Sequence, residues 1–162
     1  MDFSASADKI QEISSKVNEY VDKIEEIKNK YVKKINDFLE ELETTINSIV
    51  TKGLQWVEIH VKKILKEIND VLANLHAKIN NIINQLKEWY NIQINNIKRA
   101  FVKSICAKLG VECDNKTAEL LTETIPHPSI DSLLPKTNLD LQLPDISNLA
   151  EIGQVTIPRL EI

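Results

Sequence analysis

Histidines and paired acids are the side chains of this sequence whose chemistry would suit a metal site or acid–base catalysis. His60 and His76 are sixteen residues apart, which on one helix places them about 160° from each other around the axis, so they cannot ligate the same metal. His127 lies between two prolines. Adjacent acids such as Glu25 and Glu26 fall on the solvent-facing side of a predicted helix. These residues therefore predict no metal site and no catalytic residue.

The sequence motifs of common enzyme chemistries are also missing. The sequence contains no HExxH, CxxC or GxSxG motif, and its three glycines are too few for a phosphate-binding loop. The basic residues are mostly lysines with few aromatic residues between them, and the isoelectric point is near 5.5, which argues against nucleic-acid binding. We therefore predict a protein that is not an enzyme and that needs no cofactor.

The two cysteines have two interpretations. Cys106 and Cys113 flank Gly110, and a chain reversal at the glycine would bring the two thiols within reach of a disulfide. In the other interpretation, Cys106 is a small buried apolar side chain beside Ile105. Both interpretations stay open at the level of sequence.

The expected location rests on two kinds of segment that are missing. No run of 18 apolar residues is present, so the sequence predicts no transmembrane helix. The first twelve residues lack the basic and apolar regions of a signal peptide. We expect the protein in the cytoplasm or within an assembled particle, although the cysteine pair and the glycosylation triplet at Asn115 are features that secreted proteins share.

The strongest pattern is an eleven-residue apolar repeat in the first 109 residues, which contain no proline and one glycine. Eleven residues in three helical turns keep the apolar positions on one stripe about 100° wide. Between Ile10 and Tyr31 the spacing is that of a heptad repeat. The pattern predicts an all-α fold with a long hendecad and heptad coiled-coil helix over residues 8–109. We expect its oligomer seam to consist of Ile13, Ile24, Ile35, Ile46, Val57, Ile68, Ile79, Tyr90 and Phe101.

A recurring dipeptide supports the repeat. An Ile-Asn pair recurs at multiples of eleven residues, at Ile35-Asn36, Ile46-Asn47, Ile68-Asn69 and Ile79-Asn80. Because one helix of this length cannot bury its own apolar stripe, we expect a homo-oligomer, and isoleucine at both core rows favours a trimer.

Gly53 is the position at which this helix would most readily end. A cap there would give a hairpin of two antiparallel helices. The repeat passes through Gly53 without a change of phase, and this continuity favours one unbroken helix.

The last third of the sequence has a different character. Gly110 predicts a helix end, and Asp114 is placed to cap a short helix within residues 110–125. Residues 126–162 contain all five prolines and an excess of acids, and their alternation of polar and apolar residues predicts an extended, partly strand-like arm. Residues 1–7 are expected to form an N-terminal arm. We expect the C-terminal arm to dock on partner subunits through Leu139, Leu141, Leu143, Val155, Ile157 and Leu160.

Together these features predict a structural or assembly subunit. It would be a self-associating helical rod whose C-terminal arm docks on further protein subunits, as in a virion, a phage tail or a filament. The alternative hypothesis is a lipid-surface protein, because eleven-residue amphipathic repeats also lay long helices flat on lipid. The narrow, isoleucine-rich stripe favours the first hypothesis.

Overall fold

The computed structural model describes residues 3–112, 114–126 and 128–161. In these ranges the chain forms five α-helices: α1 (Phe3–Asn47), α2 (Ile49–Lys52), α3 (Leu54–Leu109), α4 (Asn115–Thr124) and α5 (Leu149–Ile152). A 3-10 turn covers Asp131–Leu133, and the described residues contain no β-strand. The predicted all-α class is confirmed, whereas the predicted strand-like tail forms no strand there. None of the described helices is long and apolar enough to cross a bilayer.

The first helix begins earlier than the sequence pattern predicts. The sequence predicts an N-terminal arm over residues 1–7, but α1 includes the chain from Phe3 onward. Nothing in these residues breaks a helix, because neither proline nor glycine precedes Gly53. Met1 and Asp2 lie outside the described residues.

The prediction of one continuous helix over residues 8–109 is wrong, because α1 ends at Asn47, the single-turn α2 follows, and α3 begins at Leu54. The Ser48 hydroxyl donates a 2.7 Å hydrogen bond to the Thr45 carbonyl, a local bond of the kind that competes with helix continuation. Gly53 then adopts φ 88° and ψ 156°, a backbone conformation that is essentially restricted to glycine. The chain therefore turns at residues 48–53.

The chain divides into two compact units. The first unit consists of Met1–Lys23 and Asn81–Pro135, and the second consists of Ile24–Asn80 and Lys136–Ile162. Each unit contains one part of α1 and one part of α3.

In the second unit the two long helices run antiparallel. The short turn joins them at one end. They are also close at a distance from the turn, where the Lys78 ammonium of α3 lies 5.4 Å from the centre of the Tyr31 ring of α1. Their apolar stripes face each other and form one core with two residues of the C-terminal segment. The buried members are Ile35, Leu39, Leu42, Ile46, Val57, Val61, Ile64, Ile68, Val71, Leu149 and Ile157. The stripe is thus buried within one chain.

In the first unit, α1 and α3 again share a core. Its buried residues are Ile13, Val17, Leu86, Tyr90 and Ile130. A smaller cluster joins the end of α3 to α4 through Val102, Cys106 and Ala118. An ion pair of 2.9 Å between Lys87 and Asp131 attaches the 3-10 turn to α3.

The end of α3 agrees with its sequence prediction. The Val111 N–H donates to the Cys106 carbonyl at 3.0 Å, and the Gly110 N–H donates to the Ala107 carbonyl at 3.2 Å. With Gly110 at φ 68°, these two bonds make a Schellman ending. The predicted helix end at Gly110 is confirmed.

The short helix α4 is capped at both ends. The Asp114 carboxylate accepts the Thr117 N–H at 2.7 Å, which confirms the predicted cap, and this bond lowers the pKa of Asp114. At the other end, the buried Lys98 ammonium donates to the Ile125 carbonyl at 3.0 Å. A cation at this position also suits the negative end of the helix dipole.

Candidate functional site

Three polar residues on α1 form a row that holds the C-terminal segment. Asn36, Glu43 and Asn47 are spaced by seven and four residues, which places them on one helix face. They flank the apolar stripe and are half-buried. All three bond to the main chain of residues 155–160. We call Asn36, Glu43 and Asn47 the tail clamp.

Each of the two asparagines forms hydrogen bonds with both the N–H and the carbonyl of one tail residue. The Asn47 amide donates to the Val155 carbonyl at 3.0 Å and accepts the Val155 N–H at 2.8 Å. The Asn36 amide does the same at Leu160, with distances of 2.9 Å and 2.7 Å. Each carboxamide therefore makes the pair of hydrogen bonds that a residue of a neighbouring antiparallel β-strand would make. Because these four bonds go to main-chain atoms, they select an extended conformation rather than particular side chains.

The spacing of the asparagines matches the spacing of the groups they bind. Asn36 and Asn47 are eleven residues apart, and a helix rises about 16 Å over that distance. Val155 and Leu160 are five residues apart, and extended chain also spans about 16 Å over five residues. The eleven-residue repeat that orders the apolar stripe thus also places two amides in register with an extended segment antiparallel to α1.

Glu43 lies between the asparagines and adds a charged contact. Its carboxylate accepts the Ile157 N–H at 3.0 Å and a hydrogen bond of 2.9 Å from the Arg159 guanidinium. The bond from Arg159, followed by the bond from Ile157, lowers the pKa of Glu43. Glu43 therefore favours a tail that carries a basic residue two positions after Ile157, as Arg159 does.

Side chains of the tail enter the apolar core beside the clamp. Ile157 is only 3% exposed, and Val155 and Leu160 are half-buried against the same core. Thr156 and Pro158, between them, are exposed. The alternation in the sequence therefore reflects packing on a helix pair, and not membership of a sheet.

The residues predicted to dock on a partner lie mostly in the chain's own core. Ile157 is buried, while Leu139, Leu141, Val155 and Leu160 are half-buried against the core of the second unit. Leu143 is exposed. The physical reason is that the hairpin supplies an apolar surface with main-chain hydrogen-bonding partners in the same chain.

Most of the residues predicted to form an oligomer seam are likewise buried within the single chain. Eight of the nine (Ile13, Ile24, Ile35, Ile46, Val57, Ile68, Ile79 and Tyr90) are less than a tenth exposed within the single chain. Phe101 is the exception and is 44% exposed. The argument that this stripe requires other copies therefore no longer applies, because the second long helix of the same chain covers it.

The structure describes one of the two cysteines and shows the surroundings of His60. Cys106 is buried and disulfide-bonded, but Cys113 lies outside the described residues, so the pairing of these two stays a prediction. His127 also lies outside them. The His60 ring stacks on Trp56, with 3.9 Å between the ring centres. Within the described ranges, no group of three or more His, Cys, Asp and Glu residues could hold a metal ion.

Loss of one clamp amide is expected to weaken the tail measurably. We expect Asn47→Ala to lower the free energy of unfolding by about 1–3 kcal/mol, because the Val155 N–H and carbonyl lose their partner. Urea denaturation followed by circular dichroism measures this change. Asn29→Ala, at an exposed position of the same helix, is the matched control and should stay within about 0.5 kcal/mol of the wild type. Equal losses in both variants would contradict a holding role for Asn47.

Acid is expected to loosen the tail through Glu43. Because the folded-state pKa of Glu43 is lowered, its stabilisation is fully present above the ordinary glutamate pKa of about 4.3 and is lost as the pH falls through the lowered value. The urea midpoint should therefore drop in this window. Glu43→Gln should lack this component while retaining the acid response of Asp131 and Asp145, whose pKa values are also lowered. Parallel midpoint curves for the two proteins would refute the assignment.

Comparison with known proteins finds no match: no family model, curated protein or solved structure matches this chain.

Proposed function

We propose that this chain is a structural assembly subunit in which the tail clamp of one copy holds residues 153–161 of a neighbouring copy. The observation that carries the proposal is the reciprocal bonding of Asn36 and Asn47 to the tail main chain. A site that binds extended backbone accepts the same segment from any copy, because the bonds do not depend on which chain provides it.

Exchange of the tail needs no new contact. The apolar positions beside the clamp and the Glu43–Arg159 pair serve equally well within one chain and between two, and exchange of an identical element is a low-cost route to association. Within one chain, the tail has the advantage of a high effective concentration. Docking between copies is therefore favoured where copies are crowded together, as in a growing filament or particle.

A second observation concerns the apolar surface of the first unit. Large side chains stay exposed at the end of α3 and on α4: Phe101, Ile105, Leu109, Leu120 and Leu121. Several of these residues line an apolar depression of about 200 Å³. Contiguous exposed apolar residues are typical of interaction surfaces, so this end of the unit offers a place for further subunits.

The structure changes how the copies would meet. The stripe that favoured a trimer is used inside the chain, so we assign the contact between copies to the tail and not to a helical seam. The lipid-surface alternative needs the same stripe to face lipid, which would require the hairpin to open. The assembly hypothesis needs only the tail to move.

Two full-length variants test the proposal by complementation. A clamp-deficient chain carries Asn36→Ala and Asn47→Ala with an intact tail, and a tail-deficient chain carries Ile157→Asp with an intact clamp. Each alone should remain near 18.5 kDa, and an equimolar mixture should form a complex of twice that mass by light scattering. A mixture with Glu43→Ala added to the tail-deficient chain is the control and should associate more weakly. Two unassociated monomers in the first mixture would refute docking between copies.

A further inference from the structure

Glu43 bonds to a side chain of the tail as well as to its main chain. One carboxylate oxygen accepts the Ile157 N–H at 3.0 Å, and the other pairs with the Arg159 guanidinium at 2.9 Å. Arg159 also donates to the Ile157 carbonyl at 2.6 Å, so these three residues form a closed ring of hydrogen bonds. The Arg159 and Glu43 side chains are 32% and 22% exposed, and water and salt therefore screen this pair only in part.

Three apolar side chains of the tail accompany this ring. Ile157 is buried, and Val155 and Leu160 are half-buried against the core of the second unit. A polar or charged side chain at one of these positions would lose its hydration without gaining a partner. The core beside the clamp therefore selects apolar residues at these three positions.

Pro158 suits a position at which the clamp needs no donor. The N–H groups that the clamp binds belong to Val155, Ile157 and Leu160, and Pro158 is exposed. The proline ring fixes its own φ and keeps the preceding residue in the extended region. Proline at this position therefore preorganises the extended segment without removing a hydrogen bond.

The tail sequence fits the clamp in one register and not in the neighbouring ones. A shift by one residue in either direction turns the apolar side chains away from the core, and in one direction it presents Pro158, which has no N–H, to Glu43. A shift by two residues places Arg159 in the buried position of Ile157, or presents Pro158 to Asn36. Each of these shifts loses a core side chain or a hydrogen bond.

We propose that the tail clamp is a peptide-recognition site that is specific for the sequence of the segment it binds. Its ligand is an extended peptide with three apolar residues, a proline and an arginine, at the positions of Val155, Ile157, Leu160, Pro158 and Arg159. The occupant is the tail of a second copy, because the chain's own tail carries this pattern and lies on the clamp. This inference rests on the proposed function, since the clamp selects among sequences only where it receives a segment from another chain.

Peptide binding to the full-length, tail-deficient chain tests the specificity. This chain carries Ile157→Asp with an intact clamp, and the probe is a fluorescently labelled peptide of residues 153–162 whose affinity is measured by anisotropy. Arg159→Ala in the peptide should weaken binding about tenfold, because a charge-assisted hydrogen bond is lost. Ile157→Asp in the peptide should weaken binding about a hundredfold or more, and Pro158→Ala about threefold. Thr156→Ala, at an exposed position, is the matched control and should stay within about twofold.

Glu43→Gln in the same tail-deficient chain isolates the role of the charge. Glutamine can still accept the Ile157 N–H, but it carries no charge to pair with Arg159. We expect this variant to bind the wild-type and Arg159→Ala peptides within about threefold of each other. A tenfold preference for arginine that survives Glu43→Gln would overturn the assignment of this specificity to Glu43.

The outcomes separate sequence recognition from docking between copies. Equal affinities for all the peptides, or no binding of any of them, overturn the proposed recognition. If the mixture of clamp-deficient and tail-deficient chains still associates in that case, docking between copies stands without it. If the peptides bind in the expected order while the mixture stays monomeric, the recognition is supported and docking between copies fails.

Discussion

Replacement of Ile157 by aspartate will detach the tail from the helix pair and lower the free energy of unfolding by about 4 kcal/mol. Ile157 is 3% exposed and packs in the main core of the second unit. Loss of a buried isoleucine alone costs about 2–5 kcal/mol, and an unpaired carboxylate cannot stay in that core. The segment must therefore leave, and the bonds from Asn36, Glu43 and Asn47 are lost with it.

Hydrogen exchange provides the most direct measurement of this detachment. In the variant, the amides of Val155, Ile157 and Leu160 should exchange much faster, because their acceptors on α1 no longer protect them. Leu143→Asp is the matched control, since Leu143 is an exposed leucine of the same segment, and it should leave both protection and stability near the wild type. A stable Ile157→Asp protein with protected tail amides would show that the tail is held without its apolar contacts.

Features governed by local rules were predictable from the sequence. The end of α3 at Gly110 and the cap of α4 at Asp114 depend on residues within one helical turn, and both agree with the structure. The stripe itself was also predictable, since eight of its nine principal residues are buried. Periodicity states which side chains avoid water, and it does so reliably for a long helix.

The partner of each apolar face was not predictable in the same way. An eleven-residue phase is the same whether the second helix belongs to the same chain or to another, so the continuity through Gly53 could not distinguish a hairpin from a rod. Likewise, the alternation around Ile157 predicts one buried face without stating what buries it. Asn36 and Asn47 were visible as an echo of the repeat, but their role depends on a segment more than a hundred residues away.

Gly53 controls the choice between hairpin and rod, and Gly53→Ala is expected to shift it toward the rod. Alanine at φ 88° and ψ 156° costs about 1–3 kcal/mol of backbone strain, and alanine favours a continuous helix over glycine by about 1 kcal/mol. Apart from its two neighbours in the chain, no heavy atom of the described residues lies within 4 Å of a methyl group added at this position, so the penalty comes from the backbone. Both effects disfavour the turn.

The chain that results from Gly53→Ala should associate through the contacts that the hairpin now makes internally. A helix that continues through residue 53 keeps its stripe in phase but separates the two halves of the core, so the stripe must be covered by a second copy in an exchanged arrangement. We expect light scattering to detect a species of at least twice 18.5 kDa, increasing with concentration. Gly110→Ala is the control, because Gly110 has a φ of 68° and imposes similar strain without joining two halves of the stripe. Gly110→Ala should lower stability and leave the mass unchanged.

If Gly53→Ala likewise lowers stability without raising the mass, then packing of the two stripes, and not the glycine, selects the hairpin.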